Sequence, residues 1–212
     1  DLGRDYSEVR KAIVTDDIMG EAVKHGSGIR LLRQEPWETL ISFILSSNNR
    51  IPRIMKIIED MSRCYGEELE YAGKPYYAFP DAGSLAACSL EQIQVCRAGY
   101  RCGYIHKAAA RIVQGGFSLK KLAELDTDEA REYLLELYGV GNKVADCILL
   151  YSGMKDDVFP TDVWVKRVME RLYFKREASF KEIRRFAAEK FGKYAGIAQQ
   201  YLFYYARSAL GK

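Results

Sequence analysis

Leu137-Tyr138-Gly139-Val140-Gly141-Asn142-Lys143-Val144-Ala145-Asp146-Cys147 decides the reading of this chain, because a glycine-flanked turn hands the backbone directly into a helix. The two glycines permit a tight turn with positive φ and leave peptide N–H groups uncovered. Followed at once by a helix N-terminus, Gly139, Val140 and Gly141 form a natural seat for a phosphate. Lys143 falls in the first turn of that helix, against the positive end of its dipole, an arrangement suited to a nucleophilic nitrogen. Cys147 lies four residues on and shares its face, whereas Val144, Ala145, Ile148 and Leu149 fall toward a core.

Downstream, Asp156-Asp157-Val158-Phe159-Pro160-Thr161-Asp162 is a charged turn that opens another helix at Asp162. A carboxylate there is favoured by exposed N–H groups and caps the helix. An ionised carboxylate does not act as a general acid, but it stabilises a developing cation or helps activate a nucleophile. Each feature alone is also what an ordinary helix boundary presents; the combination of Lys143 and Asp162 carries the catalytic reading.

The rest of the chain reads as helix after helix. Apolar residues recur at three- and four-residue spacing over 6–14, 36–45, 51–61 and 104–113. Further helices are predicted over 128–137, 142–152, 162–172, 180–190 and 197–210, with Asp162 and Ser179 as N-caps. Residues 67–80, with Gly73, two prolines and Tyr71, Tyr76 and Tyr77, predict a surface loop or a short β-ribbon. The expected class is all-α.

Composition agrees with a globular protein: 212 residues, 48% hydrophobic and 29% charged, are enough for a substantial core and exclude a disordered chain. A net charge of +3 permits a polyanionic partner without requiring one. Five cysteines, at 64, 88, 96, 102 and 147, contain no C-x-x-C pair, which favours reduced thiols over a disulfide frame or a zinc or iron–sulfur site. His25 and His106 have no ligand partners at metal-like spacing, so no metal is assigned. No apolar run approaches the roughly 20 residues of a membrane span, and the expectation is a soluble intracellular protein of cytoplasm, nucleoid or nucleus, with no membrane partner. The chain begins at Asp1 and is expected to be a fragment of a longer protein.

The run L-x-G-V-G-x-K-V-A-D from Leu137 to Asp146, followed by Pro160-Thr161-Asp162-Val163, resembles the helix–hairpin–helix and catalytic-aspartate signature of the base-excision DNA glycosylase superfamily. Within it, Ile29 through Pro36, Phe43 through Asn49, Tyr100-Arg101, Lys143 through Cys147 and Ala198 through Phe203 together look like the 8-oxoguanine DNA glycosylase family, over essentially the whole chain. The resemblance implies two helical subdomains with the helix–hairpin–helix motif, at about 129–152, flanking a cleft. Residues 1–26 with 152–212 would form the flanking subdomain and 27–151 the central one. It implies double-stranded DNA carrying an oxidised base as partner, a monomer, and excision of 8-oxoguanine, opposite cytosine, with strand cleavage by β-elimination.

In that resemblance Lys143 attacks C1′ of the damaged nucleoside and forms a Schiff base with the opened sugar, and Asp162 faces the cationic sugar. Cys147 and Phe203 sandwich the extruded base, and Gln199 addresses its Watson–Crick edge. Gln199 and Phe203 are four apart and so share one helix face. Asn48, Arg53, Tyr100 and Arg101 would fill the gap and hold the orphaned cytosine, to whose acceptor edge arginine donors are suited. No cofactor is required; hairpin carbonyls around Leu137 and Val140 offer a seat for a monovalent cation. The chain departs from the family at Tyr138, where relatives often carry proline, and at Trp164, where some carry histidine near the phosphate; neither is expected to touch the proposed chemistry directly. Family members usually possess an N-terminal β-rich domain, which is expected to be missing here. The alternatives are a non-catalytic helix–hairpin–helix DNA-binding module and a lysine-dependent glycosylase for another oxidised base.

Overall fold

A computed structural model describes residues 1–209, and helices dominate it. In chain order they begin with α1 (Tyr6–Ile13), α2 (Asp17–His25), α3 (Pro36–Ser46) and α4 (Ile51–Tyr65). An antiparallel ribbon follows, β1 (Glu68–Tyr71) and β2 (Lys74–Tyr77). Next come α5 (Ala82–Ala87), α6 (Leu90–Gln94), α7 (Arg101–Val113), α8 (Lys121–Glu124), α9 (Thr127–Leu135) and α10 (Asn142–Tyr151). The described chain ends with α11 (Val163–Met169), α12 (Phe180–Phe191) and α13 (Ala195–Ala209).

The long amphipathic stretches are the helices expected from periodicity. Asp162 and Ser179 cap α11 and α12 through side chains that accept the Val165 and Glu182 N–H groups. Residues 67–80 resolve to the ribbon, closed by Ala72 and Gly73 at φ 51° and 72°, as a two-residue hairpin loop requires. Unforeseen are α2, α5, α6 and α8; the last three span four to six residues, too few for a helical period to show. The helix expected over 162–172 instead widens after Met169 into a π-turn, Glu170–Phe174, ended by Lys175 at φ 55°. The Glu170 carboxylate accepts from the Ala178 N–H at 2.8 Å and ties that widened turn to the next segment. The end expected at Leu210 lies outside the described residues.

The chain divides into two compact units, Asp1–Arg33 with Leu149 onward, and Gln34–Ile148. The sequence reading placed these divisions after 26 and after 151. Residues 27–33 stay with the first helices because the Leu31 N–H donates to the Tyr6 hydroxyl at 3.0 Å and Arg30 donates to the Arg4 carbonyl at 2.8 Å. In this terminal unit Tyr6, Ile13, Met19, Phe159, Met169, Ile183 and Tyr201 form the core, with α13 against α2. In the central unit α7 packs on α3, α5 and α6 around Leu40, Ile44, Leu85, Ile93 and Ile105. Helix α10 carries the chain from the second unit into the first. Among the described residues no helix is long and apolar enough to cross a membrane.

Candidate active site

The hairpin is prepared by α9, whose capping box pairs Asp126 with Glu129: the Glu129 N–H donates to Asp126 at 2.8 Å and the Asp126 N–H to Glu129 at 3.2 Å. The chain then turns through Leu137–Gly141, with the Val140 N–H on the Leu137 carbonyl at 3.1 Å. Gly139 is required twice, since its φ is +84° and a β-carbon there would lie 2.5 Å from the Tyr104 ring. Gly141 differs from the expectation of positive φ at both glycines. Its φ is not in the left-handed region, and a β-carbon would meet nothing within 4 Å. The space over Gly141 is therefore open to an external group beside the first N–H groups of α10.

Behind the turn, Arg131 of α9 and Asp146 of α10 are both buried and paired at 2.6 Å, and Arg131 also reaches the Asp128 carboxylate. Burial works to lower the Arg131 pKa, but the two carboxylates outweigh it and the net shift is upward. This clamp was missed in the sequence, although an acid inside the apolar run Val144-Ala145-Asp146-Cys147-Ile148 is a signal that a buried cation stands opposite.

Lys143 sits half-buried in the first turn of α10, its Nζ 5.3 Å from the Phe43 ring centroid. No carboxylate pairs with it among the described residues. The core side of α10 is as expected, with Val144, Ala145, Ile148 and Leu149 all buried. Cys147 is buried too, at 4% exposure, so it contributes an apolar wall rather than a second accessible reactive group.

Asn48, Tyr100 and Arg101 come together in the central unit, and Arg53, in the first turn of α4, reaches the carbonyl of Arg97, close to Tyr100 in sequence. Asn48 is exposed, at φ 48°, between α3 and α4, and its amide makes no hydrogen bond among the described residues. Arg101 is only 3% exposed; its Nε donates to the Ser47 carbonyl at 2.9 Å, Nη2 to that of Asn48 at 2.9 Å and Nη1 to that of Ala98 at 3.3 Å. It is thus a positioning residue in this structure, fixing the strained turn that displays Asn48. Tyr100 is 57% exposed after Gly99 at φ +64°, with the Arg101 guanidinium 4.4 Å from its ring centroid. Arg53 is exposed and donates one Nη2 bond to the Arg97 carbonyl at 3.2 Å, leaving other donors for a ligand.

In the terminal unit Asp162 is exposed at the start of α11, one oxygen accepting the Val165 N–H at 2.7 Å. On α13, Gln199 is buried, and its side-chain oxygen accepts from Gln200, whose own oxygen accepts from the Tyr151 hydroxyl at 3.0 Å. This relay fixes the Gln199 carbonyl and leaves its NH2 without an acceptor among the described residues. Phe203 is half-buried, one turn on from Gln199, with Trp164 edge-on at 4.8 Å between centroids. Trp164, a departure from the family not expected to touch the chemistry directly, packs against the ring assigned to stacking.

Residues 41–193 match the model of the HhH-GPD superfamily base excision DNA repair proteins, and residues 1–40 match that of the 8-oxoguanine DNA glycosylase N-terminal domain. Within those first 40 residues the structure holds helices and no strand. A probable N-glycosylase/DNA lyase of Methanothermobacter thermautotrophicus is 37% identical over 200 residues, covering 85% of this chain and 64% of that protein. A solved structure of MBOgg1 in complex with a low affinity DNA ligand superposes with a TM-score of 0.94 at 50% identity, covering 100% of this chain and 73% of that one. The Clostridium acetobutylicum 8-oxoguanine glycosylase/lyase, bound to double-stranded DNA with cytosine opposite 8-oxoguanine, gives 0.93 at 46% identity and the same coverage. The chain spans 54 to 64% of the length of the curated N-glycosylase/DNA lyases it matches.

Proposed function

We propose, from the fact that this chain belongs to the HhH-GPD superfamily of base excision DNA repair proteins, that it excises 8-oxoguanine opposite cytosine from duplex DNA and then cleaves the strand. The observation that carries the reading is Lys143: a half-buried amine in the first turn of α10, without a carboxylate partner among the described residues, two residues after the open turn at Gly141.

The hairpin N–H groups hold a backbone phosphate, and the target nucleotide is extruded from the stack. The Lys143 amine attacks C1′, the glycosidic bond breaks, and the base leaves with its bonding electrons and takes up a proton. Ring opening of the sugar yields a Schiff base between Lys143 and C1′; loss of the 2′ proton expels the 3′ phosphate, and water then releases the lysine. Asp162 stabilises the cationic sugar. Cys147 and Phe203 bracket the base, and Gln199 offers the NH2 that its relay leaves open. Asn48, Arg53 and Tyr100 hold the orphaned cytosine, with Arg101 keeping their turn in place. The chain acts as a monomer, inside the cell where genomic DNA lies, and a monovalent cation at the Leu137 and Val140 carbonyls would be an accessory to the turn.

Borohydride reduction in the presence of an 8-oxoguanine:cytosine duplex tests this reading. A covalent protein–DNA adduct is expected with the intact chain, lost in Lys143→Gln, and absent on the guanine:cytosine duplex. No adduct with the intact chain means a binding module instead of an enzyme; equal trapping on an oxidised-pyrimidine duplex removes the lesion assignment alone.

A further inference from the structure

Three side chains of α7 run along the hairpin at helical spacing. The Tyr104 ring fills the space that forces glycine at 139, the Lys107 ammonium lies 4.1 Å from the Tyr138 ring centroid, and Arg111 donates to the Glu136 carbonyl at 2.8 Å and pairs with its carboxylate. The first and third contacts are satisfied within the fold. The middle one is not: Lys107 is exposed, has no carboxylate partner among the described residues, and stands over a tyrosine that is 61% exposed at the tip of the turn. Between them opens a groove of about 390 Å³, lined by His106, Lys107, Gln114, Leu137 and Tyr138.

An exposed aromatic and an unneutralised cation, held together at the edge of a phosphate seat, are what a polyanionic strand meets as it leaves that seat. The ring restricts the lysine without neutralising it, so less side-chain freedom is lost when a phosphate arrives. Glu136 and Arg111 also line the groove, and Arg111 neutralises that acid, the one carboxylate lining it among the described residues.

Building on the DNA-binding reading above, we propose that Lys107 and Tyr138 form a second backbone subsite, which takes the phosphodiester next to the one held by the hairpin N–H groups. Lys107 supplies the charge and Tyr138 the surface against which the deoxyribose lies. The contact carries no base information, so it adds affinity equally to damaged and undamaged duplex.

The test is the salt dependence of duplex binding, measured with a lesion-containing and a lesion-free duplex of one sequence. Replacing Lys107 by alanine removes one phosphate contact and lowers the slope of log affinity against log salt by about one. Both duplexes weaken by the same factor, K107R restores most of the slope, and Tyr138→Leu weakens both without changing it. An unaltered slope in K107A overturns the subsite, as does a loss confined to the lesion duplex. A lost borohydride adduct with these binding effects intact would fault the catalytic reading alone; an intact chain that binds no duplex would overturn both.

Discussion

The hairpin and the face of α13 solve opposite problems. At the hairpin the proposed recognition surface is backbone, and the side chains that shape it point inward: Tyr104 against Gly139, and Arg131 against Asp146. On α13 the surface is side chain, Gln199 and Phe203, and each is set by another side chain, Gln200 and Trp164. Contacts to DNA phosphates supply affinity that ignores the base, whereas contacts to the base itself supply selection. Damage to the hairpin should therefore reduce stability and affinity on every duplex, and damage to the α13 face should reduce discrimination.

The clamp behind the hairpin offers the largest effect. Arg131→Met takes the guanidinium away from the buried Asp146 carboxylate and is expected to cost about 3–5 kcal/mol of unfolding free energy, read by urea denaturation. Replacing Asp146 by leucine in the same chain should recover much of that loss, because the buried charge that lost the guanidinium is then removed with it. A single-variant loss below about 1 kcal/mol would mean that water reaches the pair and that packing alone holds α9 to α10.

The two glycines separate fold from binding within the same turn. Gly139→Ala must tolerate φ +84° and a collision with the Tyr104 ring, at about 1–3 kcal/mol for the backbone strain alone. Gly141→Ala meets nothing inside the chain, so its melting temperature should barely move while duplex affinity falls several-fold. If Gly141→Ala binds DNA like the parent, the phosphate does not approach over that residue.

How legible each region was follows from the same contrast. The hairpin could be read because its requirements are local: a positive φ, a tight turn and a first-turn lysine all lie within eleven residues. The long helices were legible for the same reason, their apolar period being carried by consecutive turns. Residues tied to distant segments were not. Trp164 is thirty-nine residues from Phe203, Lys107 is thirty-one from Tyr138, and nothing in the local sequence announces either pair. Arg101 was read as a ligand donor because the family resemblance sets an arginine against the orphaned cytosine; in the structure it donates to the Ser47 and Asn48 carbonyls, whose turn is held by that buried guanidinium. The π-turn at Glu170–Phe174 escaped for a related reason, since it rests on the Ala178 N–H beyond the helix itself.

The α13 face yields the smallest expected effect and the sharpest separation. Trp164 meets Phe203 edge-on, a geometry worth about 0.5–1.5 kcal/mol beyond area burial, which corresponds to roughly two- to tenfold in an equilibrium. Trp164→Leu keeps an apolar side chain beside Phe203 and removes the aromatic edge. Excision of 8-oxoguanine relative to guanine should then fall within that range, while the salt slope of duplex binding stays at the parent's value, because no phosphate contact has changed. A changed slope with intact discrimination would place Trp164 with the backbone-gripping surfaces and dissolve the division of labour between hairpin and α13. An unchanged ratio and an unchanged slope would mean that Phe203 holds its orientation through α13 alone.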